Sequence, residues 1–268
     1  MDSPATPRGR SGRVEGHVAI VTGGSRGIGE ATARLLVAEG ARVLIADLLD
    51  QQGQALAAHL SGENAAYAHL DVRSPDEWDT VVRACQRTFG PPTILVNNAG
   101  VMVTAPIEES TVDQFRHAFD VNVLGPFLGV RAVAPVMRAA GAGAIVIVSS
   151  AGGREGTPGM ALYAASKAAN ANFAQSAALE LAPAGIRVNA VAPGLVDTDM
   201  SRPVMPPGTL APAATPGVPR VGRASDIAAA ILHLVSDDSP FTTGTVFNVD
   251  GGYLAGHTRL NPTPDSET

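Results

Sequence analysis

The chain has 268 residues, 45% of them hydrophobic and 16% charged, with a formal net charge of −6 from 19 Lys+Arg against 25 Asp+Glu. That length and apolar share suit one large domain and exclude a chain disordered throughout, and the acidic balance provides no basic patch for nucleic acid. The single cysteine, Cys85, excludes an internal disulfide and fits a reducing, cytoplasmic compartment.

In chain order, residues 1–15 read as a flexible arm: three arginines precede Val14, and no apolar stretch of secretory-signal length follows them. Seven short apolar runs come next, at Val18–Val21, Val43–Ala46, Ala66–Leu70, Ile94–Val96, Ile145–Val148, Ile186–Val191 and Val246–Val249. They are rich in β-branched residues and bounded by Gly, Pro, Asn or Asp, and several lack alternation, as strands buried on both faces do. Helical patterns lie between them near 28–39, 51–61, 75–89, 111–140, 160–182 and 224–236. Ser74-Pro75-Asp76-Glu77 is a strong helix start, with an N-cap, a proline in the first turn and early acids. The alternation predicts an α/β fold: a single Rossmann-type three-layer domain over 16–256, with a seven-stranded parallel sheet and helices on both faces. All apolar runs are of strand length, so no membrane partner is expected. Residues 199–222, which include a run with six of the chain's 20 prolines, read as a lid over a substrate, and residues 257–268 as a polar tail.

The first strand runs straight into Thr22-Gly-Gly-Ser-Arg-Gly-Ile-Gly29, and a helix follows. Glycines here let the backbone turn sharply against a pyrophosphate, and the helix N-terminus offers amide donors and the positive end of its dipole. Gly23, Ser25, Arg26, Gly27 and Gly29 are therefore candidate cofactor contacts. Asp47 ends the second strand, 18 residues after Gly29, where a carboxylate can accept from both adenosine ribose hydroxyls and repel a 2′-phosphate. The expected cofactor is NAD. Arg26 pulls the other way, since a guanidinium in the turn can receive that phosphate. Asp71-Val72 ends the third strand; Asp71 can face the adenine amino group or cap the next turn. Asn97-Asn98-Ala99-Gly100 ends the fourth, with small residues against which a flat ring or sugar can lie and with Asn97 able to tie strands together.

The chain holds one lysine among its 19 basic residues, and Lys167 stands four residues after Tyr163, on the same helical face. A slender ammonium can reach past a ring to ribose hydroxyls where a guanidinium cannot. The ammonium and a cationic nicotinamide both favour the phenolate, which turns a phenol with a reference pKa near ~10 into an acid/base group for a carbinol proton. Ser150, 13 residues earlier at the carboxyl end of the fifth strand, can hold the substrate oxygen. A dinucleotide-sensing regulator could keep the glycine turn but has no use for Ser150, Tyr163 and Lys167 together. The six histidines show no metal-ligand spacing, Cys85 has no companion base, and no metal is expected.

These motifs, with Pro193-Gly194, Thr198 and Asn248-Val-Asp-Gly-Gly252, resemble the short-chain dehydrogenase/reductase family, single-domain branch, over Gly16–Tyr253. Ala46–Asp50, His69–Val72 with Trp78, and Arg220–Arg223 are most similar to its bacterial 3α/20β-hydroxysteroid dehydrogenases. The resemblance implies a homotetramer, with the alanine-rich helix 160–182 at an interface. It adds Asn122 to the catalytic set, as holder of a water that links the lysine to solvent. It assigns Ile28 to the pyrophosphate turn, and Val196 and Thr198 to the nicotinamide carboxamide. The expected activity is NAD-dependent interconversion of a secondary alcohol and a ketone on a small-molecule substrate such as a hydroxysteroid. A 3-oxoacyl-thioester reductase or a sugar or polyol dehydrogenase is the alternative. Arg154 and Glu155, between Ser150 and Tyr163, are further candidates for substrate contact.

Overall fold

The computed structural model describes residues 12–60, 63–204 and 217–256. Seven strands form one sheet: β1 (Val18–Thr22), β2 (Arg42–Asp47), β3 (Ala65–His69), β4 (Ile94–Asn97), β5 (Gly143–Val148), β6 (Ile186–Pro193) and β7 (Val246–Val249). The spatial order is β3-β2-β1-β4-β5-β6-β7, and every pairing is parallel. The order reverses between β1 and β4, so a crevice opens there at the carboxyl ends. β1 and β4 are buried at every residue, which explains their unbroken apolar composition, whereas β3 and β7, at the edges, carry partly exposed positions.

Helices cover both faces. On one lie α3 (Pro75–Thr88), α4 (Val112–Phe119), α5 (Gly125–Ala140) and α6 (Ala161–Leu181); their buried Trp78, Val82, Val133, Met137 and Leu181 form a single core with β1, β4 and β5. On the other lie α1 (Gly27–Ala38), α2 (Asp50–His59) and α7 (Ala224–Val235), which bury Leu36, Leu56, Ile227 and Ile231. α3 starts as its sequence dictates: Ser74 Oγ accepts from Glu77 N, and Pro75 occupies the first turn. Arg187, on β6, anchors the far end of α7. Its guanidinium donates to the carbonyls of Leu234, Ser236 and Thr242 at 2.6–3.3 Å, a cation at a helix C-terminus.

The structure departs from the sequence reading in three places. The pattern 111–140 is not one α-helix: Asp120–Leu124 forms a π-helical turn between α4 and α5, with Gly125 N donating to Asp120 O. Residues 112–140 together are long and apolar enough to cross a membrane by length and composition, contrary to the strand-length expectation. Here the stretch packs on the sheet, and Gly129 has no room for a Cβ against Trp78 and Asn97. Within the arm 1–15, residues 12–15 are folded: Val14 is buried, its amide donates to Glu39 O at 3.1 Å, and Arg13 pairs with Asp238. Residues 1–11, the polar tail 257–268 and positions 205–216 of the lid segment lie outside the described residues. Cys85 is buried, and burial pushes its thiol up to about 12, so it behaves as a small apolar side chain.

Candidate active site

A cleft of about 1480 Å³ runs along the carboxyl ends of the strands, from Asp47 at one end to Tyr163 and Tyr253 at the other. A drug-sized ligand occupies roughly 300–1,000 Å³, so the cleft has room for a dinucleotide with a second small molecule beside it.

At the adenosine end the glycine turn is closed by its own packing. Gly23 and Gly27 take φ +59° and +58°, which L side chains rarely adopt. A Cβ on Gly29 would overlap the Gly23 carbonyl and come within 2.6 Å of Asn98 Nδ2, so this glycine serves the close approach of turn and helix. Asn98 Nδ2 donates to the carbonyls of Thr22 and Gly23, each at 3.0 Å, binding the turn to the end of β4. No side chain caps α1, which leaves its N-terminus open for an anion. Asp47 is almost fully buried; its Oδ2 accepts from Ser25 N at 2.9 Å and its Oδ1 from Leu49 N at 3.1 Å. Each oxygen keeps a second lone pair.

Most expected cofactor residues line this cleft: Gly23, Arg26, Gly27 and Ile28 from the turn; Asp47; Asp71 and Val72; Asn98, Ala99 and Gly100; and Pro193, Gly194, Val196 and Thr198 after β6. Ser25 and Gly29 do not: Ser25 Oγ is buried away from it, beside Gly53. Asp71 fulfils its capping alternative. Its carboxylate accepts from Arg73 N at 3.0 Å and pairs with the Arg73 guanidinium, which holds it below the usual carboxylate range. Asn97 ties β4 to α5, not to a neighbouring strand, by donating to Pro126 O at 3.2 Å. Neither Arg154 nor Glu155 lines the cleft, although Arg154 donates at 3.1 Å to Asn248, which does.

At the catalytic end Ser150, Tyr163 and Lys167 line the same cleft, with Tyr163 and Lys167 buried on one face of α6. Ser150 Oγ accepts from Gly152 N at 3.1 Å. Lys167 Nζ donates to Val148 O at 2.9 Å and stands 5.8 Å from the centre of the Tyr163 ring. Burial lowers the lysine from 10.5 to about 8. Burial also raises the Tyr163 phenol, against a smaller opposite pull from its hydrogen bond with Ser150. This reverses the balance expected from the lysine alone: in the free protein desolvation dominates, and the phenol keeps its proton.

Asn122 is fully buried in the π turn and does not line the cleft. Its Oδ1 accepts from Val101 N at 2.8 Å, and its Nδ2 donates to Val101 O and to Ser166 Oγ, both at 2.9 Å. Ser166 Oγ in turn donates to Tyr163 O at 2.7 Å, so the side chain clamps the loop after β4 to the helix that carries the tyrosine. Its side-chain polar atoms are thereby used. Pro126 is the signal for the π turn: it has no N–H to return to the carbonyl four residues back, and its ring disfavours an α-turn there.

Met102, His117, Val121, Met160 and Leu195 also line the cleft, and no residue pattern in the sequence singled them out. Both described ends of segment 199–222 contribute to the lining of this cleft, at Met200 and at Val218.

Residues 23–254 match the family model described as enoyl-(acyl carrier protein) reductase. A 3-alpha-(or 20-beta)-hydroxysteroid dehydrogenase of Mycobacterium tuberculosis (strain ATCC 25618 / H37Rv) is 43% identical over 249 residues, 92% of each chain. A trans-4-hydroxycyclohexanecarboxylate dehydrogenase of Sinomonas cyclohexanicum is 38% identical over 255 residues, 92% of this chain and 96% of that one. The crystal structure of gox2181 superposes with a TM-score of 0.86 at 34% identity, covering 91% of this chain and 98% of that one. With a parallel seven-stranded sheet, a glycine turn and a Ser-Tyr-Lys set on one cleft, the chain belongs to the short-chain dehydrogenase/reductase family of oxidoreductases, which act on alcohols and ketones and use NAD(P).

Proposed function

We propose that this protein is an NAD(H)-dependent dehydrogenase/reductase that interconverts an apolar cyclic secondary alcohol, such as a hydroxysteroid, and its ketone, with Tyr163 moving the proton. The observation that carries the reading is the continuity of one cleft from the Asp47 carboxylate to the Tyr163–Lys167 pair. The residues present fit a dinucleotide: the N-terminus of α1 lacks a side-chain cap, Gly23 and Gly27 leave the turn bare, and Asp47 retains lone pairs for ribose hydroxyls.

A dinucleotide held by the glycine turn, Asp47 and Lys167 would supply the hydride acceptor for alcohol oxidation and, in its oxidised form, a positive charge that favours the phenolate. Ser150 Oγ holds the substrate oxygen against Tyr163 Oη. In ketone reduction Tyr163 Oη, kept protonated by burial, donates its proton to the forming alkoxide. In alcohol oxidation it accepts the carbinol proton, and the positive charge at Lys167 Nζ offsets the desolvation that raises the phenol. Lys167, held at Val148 O, has further N–H groups for ribose hydroxyls. Asn122 keeps α6 in place through Ser166.

The apolar lining by Met102, Val121, Met160 and Met200 supports a ring-bearing substrate, as do the activities named for the steroid and cyclohexane relatives. The family model's description favours a second reading, a reductase of acyl thioesters. We take segment 199–222 as the lid and the cytoplasm as the site of action. We take a homotetramer as the assembly, since Leu179 on α6 and Phe241 and Phe247 near the β7 edge are exposed. Initial rates with NAD and NADP over hydroxysteroids, cyclic alcohols, polyols and hydroxyacyl thioesters test the reading. The expected result is turnover of a ring alcohol with NAD preferred; a preference for NADP, or for a polyol or thioester, contradicts it.

A further inference from the structure

Asp47 reaches the cleft from a main chain that is tied down twice. Its carbonyl oxygen accepts from Leu70 N at 3.0 Å and from Tyr67 Oη at 2.6 Å. The same phenol lies 2.7 Å from Asp50 Oδ1, which also meets His69 Nδ1 at 2.8 Å. One O–H is therefore shared between the carbonyl of the ribose-end acid and the carboxylate that opens α2. In the next turn of that helix, Gly53 lies under the Tyr67 ring: a Cβ there would overlap ring carbons Cδ2 and Cε2 and come within 2.8 Å of Ser25 Oγ. Ser25 Oγ is buried without a hydrogen-bond partner, while Ser25 N donates to Asp47 Oδ2. The glycine turn, the end of β2 and the start of α2 thus converge on one phenol and one missing methyl group.

We propose that Tyr67, seated on Gly53, is a positioning residue for dinucleotide selectivity, fixing the turn between β2 and α2 so that the Asp47 carboxylate faces the adenosine ribose. The proposal rests on the reading of Asp47 as the acid that binds that ribose. A carboxylate discriminates between a ribose diol and a 2′-phosphate only while its position is held, because a small displacement both loosens its hydrogen bonds and relieves the repulsion. Leu48 and Leu49 flank Asp47 on the cleft wall, and Arg26 lies at the same end, so a slackened turn leaves a base near the phosphate position with the acid withdrawn.

The test is affinity for NADH and for NADPH, measured by fluorescence titration without substrate. Tyr67→Phe keeps the ring and removes only the hydroxyl; Gly53→Ala displaces the ring. For Tyr67→Phe the expected result is an NADH Kd weakened about tenfold, from the loss of one short hydrogen bond, with NADPH changed by less than about twofold. The KM for NAD rises while kcat stays at the wild-type value, and Gly53→Ala moves the selectivity ratio in the same direction. Should Gly53→Ala fail to fold, Tyr67→Phe decides alone. An unchanged ratio in Tyr67→Phe, or equal weakening of both dinucleotides, overturns the proposal. Asp47→Ala, run in parallel, separates the two levels. If it leaves the ratio unchanged, the ribose reading fails; if it collapses the ratio while Tyr67→Phe does not, only the positioning role fails.

Discussion

At the adenosine end of the cleft the decisive hydrogen bonds run to the main chain. Asp47 is held by the amides of Ser25 and Leu49, Asn98 binds the carbonyls of the glycine turn, and two glycines there take positive φ. At the catalytic end the decisive groups are side chains kept dry: Tyr163 and Lys167 are nearly buried, and desolvation moves both toward their neutral forms. The first end presents main-chain dipoles and one carboxylate that backbone amides hold in place. The second keeps an ionisable pair in an environment that opposes its charge, at a cost in stability.

Three substitutions probe this contrast, in descending order of effect. Lys167→Met removes the buried ammonium. Turnover falls on the order of a thousandfold, as the loss of an acid/base partner implies. Stability moves the other way. The folded pKa of about 8 lies below the unfolded 10.5, so burying the charge disfavours folding at every pH below about 8, by about 3 kcal/mol. That penalty fades as pH rises from about 8 toward 10.5, where the folded protein has already released the proton. After about 1 kcal/mol for the Val148 carbonyl left unpaired, the variant is about 2 kcal/mol more stable at pH 7 and no more stable near pH 10.5. Urea titrations at the two pH values read the difference.

Gly29→Ala tests the other end. Its Cβ meets the Gly23 carbonyl and Asn98 Nδ2, so the turn must open, at about 1–3 kcal/mol. NADH and NADPH weaken together, roughly tenfold or more, because the turn serves the part common to both. Unequal weakening, measured by fluorescence titration, would show that the turn itself takes part in selectivity. Ser74→Ala is the mildest. It removes the cap of α3, behind the loop that carries Asp71 and Val72, and lowers stability by about 1 kcal/mol with kcat unchanged.

Regular structure and the dinucleotide motif were legible in the residues. Strand starts and ends fall within about two residues of the apolar runs, because buried parallel strands leave an unbroken β-branched record. The break between α4 and α5 was not legible from apolar periodicity, because a single turn of five residues is too short to set a period of its own; only Asn122 followed by Pro126 marks it. Ser25 carried the right motif position, yet its hydroxyl packs toward Gly53 on α2, a neighbour that spacing along the turn cannot report. The roles of Ser166 and His117 depend on which helices meet, and spacing along one element cannot report that. The neutral tendency of the Tyr163–Lys167 pair was likewise hidden, because it comes from burial on all sides and not from the four-residue spacing that exposed the pair.

The central claim is that Tyr163 moves the proton while other groups hold the dinucleotide, and Tyr163→Phe tests it most directly. The ring and its packing remain; only the Oη proton is lost. The account requires an NADH Kd within about twofold of wild type together with a kcat reduced on the order of a thousandfold. Turnover within about tenfold of wild type, at any pH where the wild type is active, would contradict it.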